Sequence, residues 1–279
     1  MKTGIRVLAE FKIGLNERDL KLLESIKKYF GNIGQIHYNV SVNSWTYKVS
    51  KNKDLLNVII PHFIHYPLLT QKAVDFKLFM QIVQLIKEKA HLNKAGLEQI
   101  VNIRSSLNKG WLKPSEIISS QFPNIKPVNR DKFEATEIID PHWISGFVSG
   151  EGNFDAGIRK ATLMATPRKE RVYLRFRVTQ NDRDIKLMEL ILKWLDAGRI
   201  DWDKRKDNNT VNIVIGDFSD IINKIVPFFD KYPVLGVKHL DYLDWVRIAN
   251  LIKLGKNKTV EGMEEIKVIE KGMNKTRGK

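Results

Sequence analysis

The 279-residue chain contains no cysteine, which excludes a disulfide framework and any thiolate metal site. Histidine is scarce and scattered. Only His62 and His65 lie close together, three apart on a predicted helix. With no third ligand nearby, they read as structural or surface residues. No stretch is long and apolar enough to span a membrane. The N-terminal stretch, where apolar residues alternate with others such as Glu10, reads as a strand and does not resemble a secretion signal. Acid is also in short supply: Lys+Arg number 47 against 32 Asp+Glu, a formal charge of +15. Such an imbalance points to a polyanionic partner.

Against that background, the string from Trp143 to Phe154 (WISGFVSGEGNF) stands out. Asp140 is a predicted helix cap and Pro141 suits the first helical position, where no backbone N–H is needed. Gly146 and Gly150 are four apart, with Ser145 and Ser149 offset by one. Residues four apart share a helix face, so this apolar helix carries a strip with little side-chain bulk that a second backbone can approach. Gly152 is expected to take the left-handed conformation that ends a helix. One carboxylate, Glu151, is then left at the tip, suitably placed for a metal ion.

The rest of the chain is a diverged duplication. Phe11-Lys-Ile-Gly-Leu-Asn-Glu-Arg-Asp recurs as Phe176-Arg-Val-Thr-Gln-Asn-Asp-Arg-Asp, and Tyr66-Pro67-Leu68 with Lys72 recurs as Tyr232-Pro233-Val234 with Lys238. The register continues through Asp75 with Asp241, Phe79 with Trp245, Ile82 with Ile248, and Leu107-Asn108-Lys109 with Met273-Asn274-Lys275. The period is too long for a solenoid and fits duplicated domains. We expect a first half over residues 1–109, a linker over 110–140 that contains Pro114, Pro123 and Pro127 and is anchored by Trp111 and Phe122, and a second half over 141–279.

Periodicity predicts strands over 154–161, 171–179, 200–204 and 210–215, and helices over 181–195, 218–229, 238–253 and 260–271. Asp207-Asn208-Asn209 supplies turn chemistry. This is an α+β arrangement with helices on one face of a sheet. On the strand at 171–179, Val172, Leu174, Phe176 and Val178 form a core face, and Arg171, Tyr173, Arg175 and Arg177 form the other. Same-sign arginines on neighbouring face positions repel one another, which favours a nucleic-acid face. Arg159 and Lys204 in the second copy, with Arg6, Lys12 and Lys48 in the first, are the other candidates for that face.

The 143–154 string resembles the LAGLIDADG motif of homing endonucleases, in the form WxxGFxxxEGxF common in organelle intron-encoded members. With the repeat, the resemblance covers nearly the whole chain. It implies two pseudo-symmetric αββαββα units whose sheets form a saddle over double-stranded DNA, with the basic face entering the major groove. There an arginine can pair bidentately with guanine, each good pair contributing roughly 1–3 kcal/mol of discrimination. It also implies site-specific cleavage of both strands, using Mg²⁺ or another divalent cation held between two motif helices, each giving one acid. Glu151 and Gly150 occupy the metal position; Gln180, Lys238 and Lys72 match the surrounding catalytic positions, and Leu15 stands where Gln180 has its counterpart. By the same analogy the chain is an organelle, mitochondrial product acting as a monomer, and its heavy use of Lys, Ile and Asn suits an AT-rich genome.

The first copy departs from this pattern. Trp143 stands well upstream of Phe176, whereas too few residues precede Phe11 to hold a counterpart motif helix, its acid and its first strand. Three readings follow: an endonuclease whose first motif is truncated or encoded upstream, a maturase that binds group I intron RNA without cutting, or a homodimer that joins through the 143–152 helix so that each chain gives one Glu151.

Overall fold

Caps and strand alternation set the elements, which a computed structural model describes for residues 5–108, 110, 115–137, 140–159, 170–203, 205, 209–274 and 277. The chain divides into two units, Met1–Glu134 and Ala135–Lys279.

In the first unit, β1 (Phe11–Asn16) alternates half-buried and exposed residues. The Asn16 side chain accepts the Arg18 N–H and turns the chain towards α1 (Leu20–Tyr29). A hairpin follows, β2 (Gln35–Asn39) and β3 (Ser44–Val49), and the antiparallel sheet has the order β1-β3-β2. A helical run then contains α2 (Asn52–Asp54), a π-turn over Leu55–Ile59 and α3 (Ile60–His65). The unit continues with α4 (Lys72–Lys87), α5 (Lys94–Ser106) and α6 (Glu116–Gln121).

The second unit begins with α7 (Pro141–Glu151), which passes without a loop into β4 (Gly152–Arg159). Then come β5 (Arg171–Asn181), α8 (Ile185–Leu195), β6 (Arg199–Trp202) and β7 (Thr210–Ile215), in an antiparallel sheet of order β4-β5-β7-β6. The helical run α9 (Phe218–Asp220), a π-turn over Ile221–Ile225 and α10 (Val226–Lys231) mirrors that of the first unit. It leads into α11 (Val237–Lys253) and α12 (Val260–Lys271). The predicted strand at 154–161 thus starts two residues early, because Gly152 itself enters the sheet opposite Val178. Residues 160 and 161 of that strand, Lys204, Asp207, Asn208, Lys109, Trp111, Pro114 and Lys275 lie outside the described residues.

Packing repeats with the sequence. Gly96 and Gly262 open the first turn of α5 and α12, where an added Cβ would sit 2.3 Å from the Ala90 carbonyl oxygen and 2.1 Å from that of Lys256; only glycine permits so close an approach. Asp75 and Asp241 are both buried. Each accepts the N–H of an asparagine in the left-handed region, Asn108 (φ 58°) at 2.6 Å and Asn274 (φ 57°) at 2.9 Å. An arginine pairs with each carboxylate, Arg130 at 2.6 Å and Arg277 at 2.7 Å, as a buried charge requires. In the second unit this arginine follows three residues after the asparagine. In the first it is brought back by the segment we expected as a linker. That segment packs onto the first unit: Phe122 is buried, Ser106 donates to the Val128 carbonyl at 2.8 Å, and Gln71 donates to that of Phe133 at 2.6 Å.

The core of the second unit centres on Phe154, whose ring lies 5.1–5.4 Å from those of Phe176, Phe229, Tyr242 and Trp245. Such contacts contribute about 0.5–1.5 kcal/mol each beyond area burial. Within α3, His62 is ringed by Tyr29, Phe30, Phe63 and Tyr66. Its counterpart in the second unit is Phe228, beside Trp194 and Tyr232. Burial, with the neighbouring His65, lowers the His62 pKa from its ordinary value. A histidine whose folded pKa is depressed binds its proton more readily in the unfolded chain, so stability is full at neutral pH and falls as pH drops below about 6.5. Replacing His62 with the Phe of the other copy is expected to flatten this part of the stability profile, checked by urea denaturation between pH 5 and 7.5.

Candidate active site and nucleic-acid interface

Asp140 caps α7 as predicted, its Oδ1 accepting the His142 N–H at 2.8 Å. The helix buries Ile144, Ser145 and Val148. Its end differs from expectation. Gly152 has φ −78° and ψ 161°, so it is extended and not left-handed. Glycine is required there for another reason: an added Cβ would lie 2.5 Å from Val148 Cγ1 and 2.7 Å from the Val148 carbonyl oxygen. This lets the chain turn from helix into strand without a loop and leaves Glu151 at the joint.

Two kinds of small residue on α7 do different work. Ser145 Oγ donates to the Pro233 carbonyl, and Ser149 Oγ accepts the Leu235 N–H at 2.8 Å. These bonds staple the loop before α11 to the helix. Gly146 and Gly150 are exposed, and a Cβ added to either would meet nothing within 4 Å. Beside them Trp143 and Phe147 stack at 5.0 Å. One face of α7 therefore presents bare backbone flanked by two rings.

The stapled loop delivers Lys238, whose Nζ donates to the carbonyl oxygens of Val148 and Gly150, both at 3.0 Å. A cation here compensates the negative end of the helix dipole, and at Val148 it shares a carbonyl that also accepts the Gly152 N–H. Lys238 is thus brought to the last turn of α7 and holds the carbonyl of Gly150, the other residue expected at the metal. Gln180 lies two residues beyond Val178, the β5 partner of Gly152, and turns its Oε1 to the Asn181 N–H at 2.8 Å. In the first unit Lys72 donates to Asn108 Oδ1 at 3.2 Å. Leu15 pairs with Trp45 in the sheet.

Glu151 is exposed and has no hydrogen-bond or ion-pair partner among the described residues. No cluster of three acidic or histidine ligands occurs among those residues. A divalent cation wants six or more oxygen ligands, so the residues present fit one side of such a site. They offer one exposed carboxylate, without a partner among the described residues, on a firmly held helix end.

The outward face of the second sheet gathers the predicted basic residues. Its rows, from the far end inward, pair Arg159 with Arg171, Gly157 with Tyr173, Asp155 with Arg175 and Asn153 with Arg177. Arg175 donates to Asp155, so one predicted cation is partly neutralised. The Tyr173 ring lies over Gly157, where a Cβ would come within 2.7 Å of its hydroxyl oxygen. Arg159 and Arg175 flank that ring, their guanidinium carbons 5.0 and 5.8 Å from its centroid. Asn153, Asp155, Arg199, Asp201 and Asn212 share the face but were not identified from the sequence. Extending the strand parity of β5 to β4, β6 and β7 would have found them. The first unit is less basic: Lys12 and Lys48 are neighbours across the sheet, and both pair with Glu10, at 2.5 and 3.3 Å. The hydrogen bond from Lys12 holds the Glu10 carboxyl below its usual pKa. Arg6 and Arg171 are exposed.

If Lys238 secures the helix end, Lys238→Met is expected to lower stability by about 1 kcal/mol. Amide exchange should rise around residues 148–152 without a loss of the sheet, as read by hydrogen exchange with mass spectrometry.

Comparison with known proteins places these features. The family model for LAGLIDADG endonucleases matches residues 1–83 and 144–249. "Probable intron-encoded endonuclease 3" of Neurospora crassa is 42% identical over 269 residues, 96% of this chain and 49% of that protein. "Probable intron-encoded endonuclease 2" of the same fungus is 36% identical over 275 residues, 95% of this chain and 58% of that protein. This chain thus spans about half the length of the curated relatives it matches. The I-SmaMI LAGLIDADG homing endonuclease bound to cleaved DNA superposes with a TM-score of 0.91 at 37% identity, covering 99% of this chain and 89% of that one. The I-LtrWI LAGLIDADG homing endonuclease bound to target DNA gives 0.90 at 36% identity, covering 99% and 90%. The duplicated sheets, the glycine-faced helix with its terminal acid and these matches agree: the chain belongs to the LAGLIDADG endonuclease family.

Proposed function

We propose that this protein is a site-specific homing endonuclease that cuts double-stranded DNA, with Glu151 as one of two acids that hold Mg²⁺ or another divalent cation. The observation that carries the reading is Glu151 itself, an exposed carboxylate with no partner among the described residues, at the tip of a helix whose outer face is bare backbone. A bound divalent ion activates water and stabilises the leaving oxygen of a phosphodiester. The chain's own residues supply the frame. Lys238 and the two serines fix the end of α7, and the arginine face of β4 and β5 positions the duplex. Arg171 is exposed at the far end of that face, and Arg177 lies beside Asn153 nearer the acid, so the face grades from basic to mixed polarity toward Glu151. Relatives from fungal introns support an organelle, mitochondrial origin.

The test is selection of cleaved sites from a randomised duplex library in the presence of Mg²⁺. Glu151→Gln is expected to abolish cutting and leave DNA affinity unchanged, as checked by gel shift. Preference for structured intron RNA over duplex DNA, with no cutting under any metal, would replace this reading with that of a maturase.

Arg175→Ala removes one cation and unmasks Asp155. It is expected to weaken binding by about 1–3 kcal/mol at a matched site if the guanidinium reads a base. It should also lower the dependence of log K on log salt by about one if it contacts a phosphate. Anisotropy titrations across a salt series measure both.

A further inference from the structure

The arginine face of the second sheet carries an acid in its middle. Asp155 lies opposite Arg175 in the register of β4 and β5, and Arg175 Nη2 donates to its Oδ2. The two side chains are 23% and 34% exposed, so the pair is only partly open to water. The strand beneath it is fixed from the core side, where Trp245 Nε1 donates to the Asp155 carbonyl at 3.1 Å. The guanidinium is held in two further ways. Its carbon lies 5.8 Å from the centroid of the Tyr173 ring, for which Gly157 leaves room. Its Nε is closed off from solvent and has no hydrogen-bond partner among the described residues. With one Nη2 hydrogen taken by Asp155, the donors that face a ligand are those on Nη1 and the second on Nη2.

Charge decides what such a fork binds. A phosphate oxygen placed here meets a carboxylate as well as a guanidinium, and the repulsion from the first offsets the attraction to the second. The major-groove edge of guanine is uncharged and offers a pair of acceptors, O6 and N7. That edge calls for two donors of fixed direction and no net charge. The first unit balances charge in the equivalent place with the signs exchanged. Glu10 precedes Phe11 as Arg175 precedes Phe176, and Glu10 is held by Lys12 and Lys48. Balance is common to both copies at this position, whereas a grip on phosphate would gain from an unopposed cation in each.

We propose that Asp155 is a positioning residue for DNA recognition: it aims Arg175 so that the fork reads guanine in the major groove and does not grip the phosphate backbone. Asp155 thereby adds discrimination and subtracts from sequence-independent affinity. The long arginine side chain is ordered within the protein before DNA arrives, which lowers the entropy lost on binding. This role rests on the duplex-DNA reading above and deepens it, because it chooses between the base and phosphate contacts open to Arg175.

The experiment is a binding selection from a randomised duplex library, made with the Glu151→Gln chain so that nothing is cut. Every single-base-pair variant of the enriched site is then competed against the parent site. Arg175→Ala is expected to relax a guanine preference at one base pair about tenfold. Asp155→Ala should relax the same base pair to a similar degree, yet bind a random duplex severalfold more tightly. Its slope of log K against log salt should steepen by about one, because the freed guanidinium then reaches a phosphate. Asp155→Asn keeps the shape and an acceptor for Arg175, so it should steepen the slope equally and lose less of the preference. A merely structural role predicts instead that Asp155→Ala weakens matched and random duplexes alike. That result, or an intact preference at the base pair that Arg175→Ala relaxes, overturns the proposal. A library from which no duplex is enriched overturns it together with the reading it rests on. Enriched sites that the parent chain never cuts in Mg²⁺ count against the nuclease reading and leave the role of Asp155 standing.

Discussion

The joint between Val148 and Gly152 is the constraint on which the second unit depends. A helix and a strand normally need a loop between them, because side chains at the turn collide with the last helical carbonyls. Here the residue at the joint has no Cβ, so α7 ends and β4 begins at successive residues. The strand's first pair is thereby fixed, Gly152 to Val178, and so is every pair after it, because strand register allows no partial slip. Phe154 reaches the aromatic centre and the odd-numbered residues reach the solvent face as consequences of that one joint. The acid at 151 is held at the boundary between the two.

A carboxylate that is to serve a cation must be left without a protein partner, yet its backbone must not move. The unit meets both conditions by spending its polar contacts on α7 itself. Ser145, Ser149 and Lys238 bind the helix and the loop before α11 to each other, and none of their described bonds reaches Glu151. Stability and readiness for a ligand are thus assigned to different atoms of the same turn.

Much of this was legible in the chain. The caps at Asp140 and Pro141, the strand at 210–215 and the helix at 260–271 follow from periodicity and punctuation. The repeat announced a paired architecture before any contact was known. What was not legible depends on register or on distant partners. The conformation of Gly152 was misread because a glycine after a helix usually signals a left-handed turn; here close approach to Val148 decides. The tie between Arg130 and Asp75 could not be seen, because in the other copy the equivalent arginine is only three residues from its asparagine. The pairing of Arg175 with Asp155 depends on which residues face each other across two strands. Alternation supplies the face of a residue but not its neighbour.

The outer sheet face has one further property. Gly157 leaves room for the Tyr173 ring, and that ring is shared by Arg159 and Arg175, the second of which is also tethered to Asp155. Five residues on two strands therefore behave as one object with a single set of orientations. Altering any one of them changes the posture of the others, so their preferences cannot be rewritten independently. Selection acting on this surface, natural or in the laboratory, has to move the group together or leave it intact.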